Sequence, residues 1–306
     1  MLNSVQKKQG LSLKQGRIFA GLAFLLPSLV ICFIFVVIPL IDVIKYSFTD
    51  WNGVSKKYNF VGLSNYRALG QMEGAKDMAI ATVVFAIGVT ILTIVISFIV
   101  ALQLDKKGRG RVNRSLLRTF WYFPALLSGA IVGILWHIMY NYNNGVLNTI
   151  LKNAGLKKVN WLETVGVANV AVIVGQVWVM LGMCIVIFLA GLQSIPQELF
   201  EAAALDGASP GQQLRHITLP MMASSITINV ITTTIAAFKA YELPYLISNG
   251  QPGYSTLLIT QRVYFLGFTS SDYGRGSALS VILLLIITLI SIIQLLSLRK
   301  NEERNE

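Results

Sequence analysis

The sequence predicts an all-α polytopic membrane protein with six transmembrane helices. Its 306 residues are 54% hydrophobic and only 13% charged, which is too little charged surface for a water-soluble domain of this size. Six windows without Asp, Glu, Lys or Arg are each long enough to cross a bilayer, which takes about 20 apolar residues. Basic residues flank these windows instead of lining one face, so the net charge of +11 favours membrane topology over binding of nucleic acid.

In chain order, the six windows are Ile18–Ile41, Met78–Leu104, Thr119–Leu151, Thr164–Gln197, His216–Phe238 and Gly276–Leu298. The first is too long for the apolar region of a secretory signal, so we expect it to be retained. The third and fourth exceed one crossing and must include interfacial or loop residues. A further apolar stretch, Leu243–Gln261, should not cross, because its prolines and glycines break a helix in lipid. The windows predict a transmembrane domain at 18–298 between tails at 1–17 and 299–306.

The positions of basic residues predict the orientation of these windows. The short segment between the second and third windows carries a dense basic run, from Lys106 to Arg118. Segments of this kind mark the cytoplasmic side of a membrane protein. We therefore expect both tails to be cytoplasmic, together with the polar stretch Ser194–His216 between the fourth and fifth windows.

The loops assigned to the outer side are rich in aromatic and polar residues. The first contains Trp51, Tyr58 and Phe60, and a later one contains Tyr140–Gly145 and then Trp161. Such residues are typical of the aromatic belt at a membrane interface. The alternative is a surface that receives a partner from outside, and the sequence favours the belt while leaving this alternative open.

The polar stretch Ser194–Pro220 has the pattern of two short helices with a sharp turn between them. A serine, a proline and a glutamine three positions after the serine form a helix start signal at Ser194–Gln197 and again at Ser209–Gln212. Gly207 stands where the first helix must end, because glycine adopts a left-handed conformation at little cost. Acidic side chains beside a membrane window favour a docking element for a soluble partner.

The sequence lacks the residues that several kinds of chemistry require. There is no G-x-x-x-x-G-K-[ST] run to cradle nucleotide phosphates. His137 and His216 are predicted on opposite sides of the membrane, so they should not share a metal. No arrangement of Ser, His and Asp or of paired carboxylates occurs within the windows. We therefore expect that the chain is not an enzyme and binds no metal or cofactor itself.

A specific resemblance lies within the polar stretch. Glu201-Ala202-Ala203, then Gly207, then Ile217-x-Leu219-Pro220 resembles the EAA motif of importer-type ABC permeases at every fixed position. The residues around it are similar to the sugar-uptake branch of that family, the maltose-type importers that depend on a binding protein. Further positions similar to this branch are Asn65-Tyr66, Phe123-Pro124, Gly145-x-x-Asn148, Leu246–Pro252 and Tyr273-Gly274.

The resemblance implies that residues 194–216 form a cytoplasmic coupling helix-turn-helix, which sits in a cleft of an ATPase subunit. Glu201 would meet a basic residue of the ATPase, and Gly207 would set the angle between the two helices. ATP-driven closure of the ATPase dimer would then move the element as a rigid lever. The coupling residues implied in this way are Glu198, Glu201, Ala202, Ala203, Asp206, Gly207 and Arg215.

The resemblance also implies the remaining parts of the transporter. The chain would be a permease in the cytoplasmic membrane of a bacterium, where it pairs with a second homologous permease as a heterodimer. Two cytoplasmic ABC ATPase subunits would use ATP and Mg, and an extracellular or periplasmic solute-binding protein would deliver the sugar. No cofactor would be bound by this chain.

In the family, the middle of the fourth to sixth spans lines the substrate path. The matching candidates here are Gln176, Met180, Met183, Asn229, Thr233, Ala237, Lys239, Ala240, Tyr241 and Glu242. Packing is an alternative role for the two methionines. Lys239 and Glu242 are three residues apart and could form an ion pair across a helix turn instead of contacting substrate. Maltose-type relatives are richer in asparagine in this region, so the identity of the sugar stays open.

Three alternative functions compete with a sugar permease. A phosphorylated polyol such as glycerol phosphate would need a positive pocket, which Lys239 or Arg262 could supply. A secondary carrier would need intramembrane charges, but the first four windows contain no ionisable side chain except His137. A membrane scaffold would need only the docking element. Co-purification with a nucleotide-binding subunit would favour a permease, whereas uptake that persists without ATP but collapses with the ion gradient would favour a secondary carrier.

Overall fold

The computed structural model describes residues 21–105 and 111–302. The expected tail at 1–17, residues 18–20 of the first window, the start of the basic run at 106–110 and residues 303–306 lie outside this range. The helices are α1 (Gly21–Tyr46), α2 (Ser64–Gly70), α3 (Ala75–Asp105), α4 (Arg111–Tyr122), α5 (Gly129–Met139), α6 (Val146–Asn153), α7 (Val167–Ser194), α8 (Gln197–Leu205), α9 (Pro210–Met221), α10 (Ala223–Phe238), α11 (Glu242–Ser248), α12 (Ile259–Tyr264) and α13 (Tyr273–Glu302). Among the described residues there is no β-sheet, only an isolated bridge between Thr49 and Phe60.

Four helices, α1, α3, α7 and α13, are long and apolar enough to cross a membrane. Two further candidates are helix pairs with a sharp bend. Residues Leu116–Leu126 meet α5 at 97°, and α9 meets α10 at 66°. The described residues therefore give four crossings, or up to six when each bent pair is counted as one span.

Both bends are departures from the unbroken windows of the sequence, and both have local causes. After α4 the chain forms a tight 3-10 turn around Pro124, and Leu127 and Ser128 are then extended. The Ser128 hydroxyl accepts a hydrogen bond from Ala130 N and so starts α5 as a new helix. In α9, Pro220 supplies no N–H, and a π turn precedes it at Leu214–Thr218.

Helix α7 lies at the centre of the bundle and contacts α3, α4, α5, α10 and α11. Its side chain Phe188 is fully buried and meets Phe98 of α3 edge-on, with ring centroids 5.3 Å apart. Gly182 lets the end of α4 approach closely, because a Cβ there would lie 2.9 Å from Trp121 O and from Tyr122 Cα. Small residues at such contacts are typical of helices that pack within a membrane.

Helix α1 leaves the bundle, since none of its apolar window is buried within the chain. Its end is held by residues that the sequence resemblance singled out. Asn65 Nδ2 donates hydrogen bonds to Ser47 O and Thr49 O, at 2.9 and 2.8 Å. Gly274 packs on the same segment, where a Cβ would clash with Thr49 O. The Asn65-Tyr66 and Tyr273-Gly274 pairs therefore tie the end of α1 to the start of α13.

We expected no helix to form in the stretch Leu243–Gln261. For the first part of the stretch this prediction is wrong, because helix α11 forms there. Helix α11 forms because Pro244 lies in the first turn, where its missing N–H removes no helical bond. It packs against α5 and α7 through close contacts at Gly133 and Gly175, where a Cβ would lie 2.7 Å from Leu246 Cβ and from Ile247 Cδ1. It has only seven residues, too few for a crossing.

Asn148, at the centre of the Gly145-x-x-Asn148 pattern, fixes the loop after α6. Its side chain is fully buried. Its Oδ1 accepts from Val159 N and from Trp161 Nε1, at 2.9 and 3.1 Å, and its Nδ2 donates to Tyr142 O and Val159 O. All of its hydrogen-bonding capacity is directed to the backbone and to one indole.

Asn148→Ala is expected to destabilise the protein, because it leaves the Val159 N–H and the Trp161 Nε1–H without their acceptor. Unpaired buried donors of this kind cost about 2 kcal/mol, so the thermal midpoint in detergent should fall by roughly 5 °C. Asn153→Ala is the matched control, since Asn153 is exposed on the same helix. Equal midpoints for the two variants would contradict the structural role of Asn148.

Candidate functional site

The polar stretch forms α8, a turn and α9, but its first start signal is not used. Pro196 is the residue that caps α8, and no side chain makes a capping bond there. Ser194 Oγ instead donates to Gly191 O at 2.7 Å, and Gln197 Nε2 donates to Glu201 Oε1 at 2.5 Å. The predicted Ser194–Gln197 capping box is therefore wrong, because both side chains have nearer partners on their own helices.

The second start signal is confirmed. Ser209 Oγ accepts from Gln212 N at 3.4 Å, and Gln212 Oε1 accepts from Ser209 N at 2.7 Å, which makes a reciprocal capping box. The sequence predicted a second short helix at this point, but the helix that begins there is longer. It continues as α9 to Met221 and bends into α10. The element is therefore directly continuous with a span.

Gly207 ends α8 in the manner that the sequence predicted. Its φ is +79°, in the left-handed region. Ala208 N donates to Ala203 O at 2.8 Å and Gly207 N donates to Ala204 O at 3.1 Å, which is the Schellman pattern of helix termination. No heavy atom lies within 4 Å of a Cβ built on Gly207. Glycine is therefore required by the backbone conformation and not by crowding.

The tip of this element presents acidic and apolar side chains to its surroundings. Glu198, Glu201 and Asp206 are exposed, and the structure records no ion pair for them within residues 21–105 and 111–302. Leu205, beside Asp206, is 90% exposed, which the sequence interpretation missed. The remaining coupling candidates, Ala202, Ala203, Gly207 and Arg215, are exposed or half-buried on the same element. An exposed leucine among carboxylates suits a partner with a hydrophobic cleft and basic residues.

The structure divides the substrate-path candidates on α10 into two groups. Asn229, Thr233 and Ala237 are buried within the chain. Asn229 Nδ2 donates to Cys184 O on α7 at 3.3 Å, and Thr233 Oγ1 lies 3.4 Å from Cys184 Sγ. Asn229 and Thr233 therefore join α10 to α7, and none of the three residues reaches an open surface within this chain.

Other path candidates remain accessible. Met183 on α7 is 58% exposed, and Lys239 at the end of α10 is also exposed. The half-buried candidates are Gln176, Met180, Ala240 and Tyr241. The candidates therefore do not form one continuous lining in this chain.

The proposed pairing of Lys239 with Glu242 across a helix turn is wrong. Helix α10 ends at Phe238, and Glu242 begins α11, so the two side chains lie on different elements. The Glu242 carboxylate instead lies beside the start of α5, where a Cβ on Gly129 would be 2.8 Å from Oε2. A carboxylate at a helix N-terminus is favoured by the helix dipole.

The two histidines have separate surroundings. His137 Nδ1 lies 2.8 Å from Ile247 O of α11, whereas His216 Nδ1 lies 3.0 Å from Gln212 O on its own helix. Within the described ranges, no three His, Cys, Asp or Glu side chains lie close enough to hold a metal ion.

Comparison with known proteins places this fold and this element in a family. Residues 94–302 match the family described as binding-protein-dependent transport system inner membrane component. The multiple sugar-binding transport system permease protein MsmF of Streptococcus mutans is 34% identical over 92% of this chain and 96% of its own. The trehalose/maltose transport system permease protein MalF of Thermococcus litoralis is 33% identical over 90% of this chain and 92% of its own.

A solved structure shares the fold. A chain of a bacterial ABC transporter involved in the import of the acidic polysaccharide alginate superposes with a TM-score of 0.82, over 95% of this chain and 98% of that one, at 22% identity. The family match over more than half of the chain does not favour a secondary carrier or a scaffold. The chain therefore belongs to the binding-protein-dependent inner membrane components, as a multi-pass permease of the sugar ABC importer family and a transport component rather than an enzyme.

Proposed function

We propose that this permease imports an oligosaccharide by alternating access, driven by two separate ATPase subunits that engage the α8–α9 element. The observation that carries this proposal is the continuity of the element with the bundle. Helix α8 follows the central helix α7 after two residues, and α9 runs directly into α10. A displacement of the exposed turn around Gly207 is therefore passed to two helices that contact each other.

The base of the element is packed well enough to transmit such a displacement. Ile195 and Met222, which flank the element, are buried. Gly191 of α7 faces α10 closely, since a Cβ there would lie 2.2 Å from Ser225 Oγ. The exposed tip and the buried base together suit a lever that docks a soluble subunit. Glu201 would pair with a basic residue of that subunit, and Leu205 would enter its cleft.

The remaining parts of the proposal follow from this docking. The ATPase subunits lie in the cytoplasm and bind ATP and Mg, so the α8–α9 element and both tails belong on that side. The loop after α1 then belongs on the outer side, where a solute-binding protein delivers the substrate. A second homologous permease completes the path, since the accessible candidates on this chain form only part of a lining.

An oligosaccharide is preferred over a phosphorylated polyol. Relatives are named for transport of starch degradation products, multiple sugars and trehalose or maltose. A phosphate site would need a cluster of free cations, but of the two candidates only Lys239 is exposed, and Arg262 is already engaged. Its Nε lies 2.9 Å from Met72 Sδ, and its guanidinium lies over the Phe265 ring at 5.5 Å. These contacts support a neutral substrate.

Reconstitution of the chain with its second permease, ATPase and binding protein tests the proposal. We expect the chain to co-purify with a nucleotide-binding subunit and to import maltooligosaccharides only with ATP. ATP should act from the side on which a Gly211→Cys variant, in a Cys32→Ser background, reacts with an impermeant maleimide. Uptake that persists without ATP and collapses with the ion gradient would contradict the proposal.

A further inference from the structure

A chain of aromatic rings leads from the end of α10 to the loop after α1. We call it the aromatic track, and it consists of Tyr245, Tyr241, Tyr264, Phe268, Tyr273 and Trp51. Along this order, successive ring centroids lie 5.6, 4.8, 5.1, 5.9 and 5.3 Å apart. Tyr241 is also a substrate-path candidate, so one end of the track meets the candidate path.

The rings of the track are accessible, which distinguishes them from rings that only fill a core. Tyr245 is 38% exposed, Tyr264 is 42% exposed and Phe268 is 69% exposed. Tyr241, Tyr273 and Trp51 are half-buried. An aromatic belt at a membrane interface consists of rings at one depth that have no need to touch one another. Here rings from α11, α12, α13 and three connecting segments touch in sequence.

The end of the track at Trp51 is held in a fixed position. Trp51 Nε1 donates to Ser55 O at 2.9 Å, and its ring stacks on Tyr46 with centroids 4.0 Å apart. The neighbouring Asp50 carboxylate accepts from Asn59 N and Nδ2, which holds the pKa of Asp50 below its usual range. The loop therefore presents Trp51 as a rigid platform, and less entropy is lost when a ligand stacks on it.

Stacked platforms of this kind match the chemistry of a linear sugar chain. A pyranose ring has C–H groups on its faces and hydroxyl groups at its rim, so it stacks on an aromatic ring and leaves its rim free for hydrogen bonds. Phenol hydroxyl groups in the track can bond such a rim. Successive rings tolerate movement by one sugar unit, because each is an aromatic surface of similar chemistry. Two of the nearby cations contact aromatic rings, Arg262 that of Phe265 and Lys45 those of Tyr46 and Tyr58.

We infer that the aromatic track binds a linear neutral oligosaccharide on the outer side and guides it into the path between the permeases. This inference rests on the proposed import function and adds the site and the class of sugar. A track of several platforms favours longer chains, because each further sugar unit gains a stacking partner. A monosaccharide or a phosphorylated polyol would occupy one platform at most.

The test measures ATP-driven uptake by the complete assembly in proteoliposomes. The probes are linear maltooligosaccharides and chitooligosaccharides, from the disaccharide to the hexasaccharide. Phe268→Ala and Tyr264→Ala should each raise the half-saturating concentration of the longest imported probe about tenfold, and that of its disaccharide less. The conservative variants Tyr264→Phe and Phe268→Trp keep a ring and should change the half-saturating concentration far less than the alanine variants.

Phe120→Ala is the matched control for Phe268→Ala. Both phenylalanines are 69% exposed, but Phe120 contacts Trp121 on α4 and lies outside the track. Its substitution should leave the chain-length dependence unchanged. An equal effect of the two substitutions would show a general cost of losing an exposed ring and would overturn the inference.

Three further results would overturn the inference and can be told apart from one another. If the unmodified assembly imports the probes and the track variants match it at every chain length, the track is not a sugar site, but the import function stands. If the unmodified assembly imports none of these probes and imports glycerol phosphate instead, the proposed substrate is wrong as well. Loss of the second permease from the purified Phe268→Ala assembly would assign the track to a subunit interface.

Discussion

Gly207→Val is expected to reduce ATP-driven uptake by about a hundredfold while the chain still inserts into the membrane. Valine at a φ of +79° is strained, and such strain costs about 1–3 kcal/mol. The turn would relieve the strain by changing the angle between α8 and α9, and the tip would no longer fit the ATPase. No neighbouring atom would clash with the valine, so the effect arises from the backbone alone.

Two control variants separate this effect from general strain. Gly207→Asn should keep most of the uptake, because asparagine tolerates the left-handed conformation. Gly155→Val introduces the same strain at a glycine with φ of +73° and open surroundings, but far along the chain from the α8–α9 element. It should leave uptake nearly unchanged. Normal coupling of ATP hydrolysis to uptake in Gly207→Val would remove the basis for the lever.

Glu201→Lys is the second substitution with a large expected effect. Glu201 is exposed at the tip of the element, so its reversal to a cation should not disturb the fold. In contact with a basic residue of the ATPase it would create a repulsion in place of an ion pair. Losses of this kind at an interface amount to about 2–5 kcal/mol, so uptake should fall by at least about thirtyfold and the ATPase should dissociate more readily.

Glu163→Lys serves as the control for a change in net charge. Glu163 is exposed in the loop before α7, where Asn160 Nδ2 donates to it at 2.7 Å. Its reversal changes the net charge by the same amount and should not affect assembly with the ATPase. A basic-to-acidic substitution in the ATPase cleft should restore uptake to the Glu201→Lys variant and to no other variant. Unchanged affinity of the ATPase for the Glu201→Lys chain would refute the proposed ion pair.

The sequence predicted the features that depend on neighbouring residues. The apolar windows located the long helices α1, α3, α7 and α13, because backbone bonds in lipid must be satisfied within a helix. Gly207 and the Ser209–Gln212 box were likewise predicted correctly, since a helix cap involves residues only a few positions apart. The spacing of the EAA motif indicated the family, which the comparisons confirmed.

The failed predictions concern features that residue spacing by itself does not determine. Ser194 has the right spacing for a capping box, yet it bonds to Gly191. Glu242 lies three residues after Lys239, yet it lies beside Gly129 on α5. The bend at Ser128 interrupts a window that has no charged residue to mark it. In each case spacing alone did not indicate which partner is closest in the folded chain.

The sequence by itself determined that this protein is a helical permease of the ABC importer family with a conspicuous polar element between two spans. Only the tertiary structure decided that Asn229 and Thr233 face α7 and that the aromatic rings from Tyr245 to Trp51 meet in one track. The physical reason is that lipid is as apolar as the interior of the bundle. In a water-soluble protein, apolar periodicity therefore marks the buried face of a helix. In a membrane it does not distinguish the face toward lipid from the face toward another helix, so only the packed structure shows which face contacts which helix.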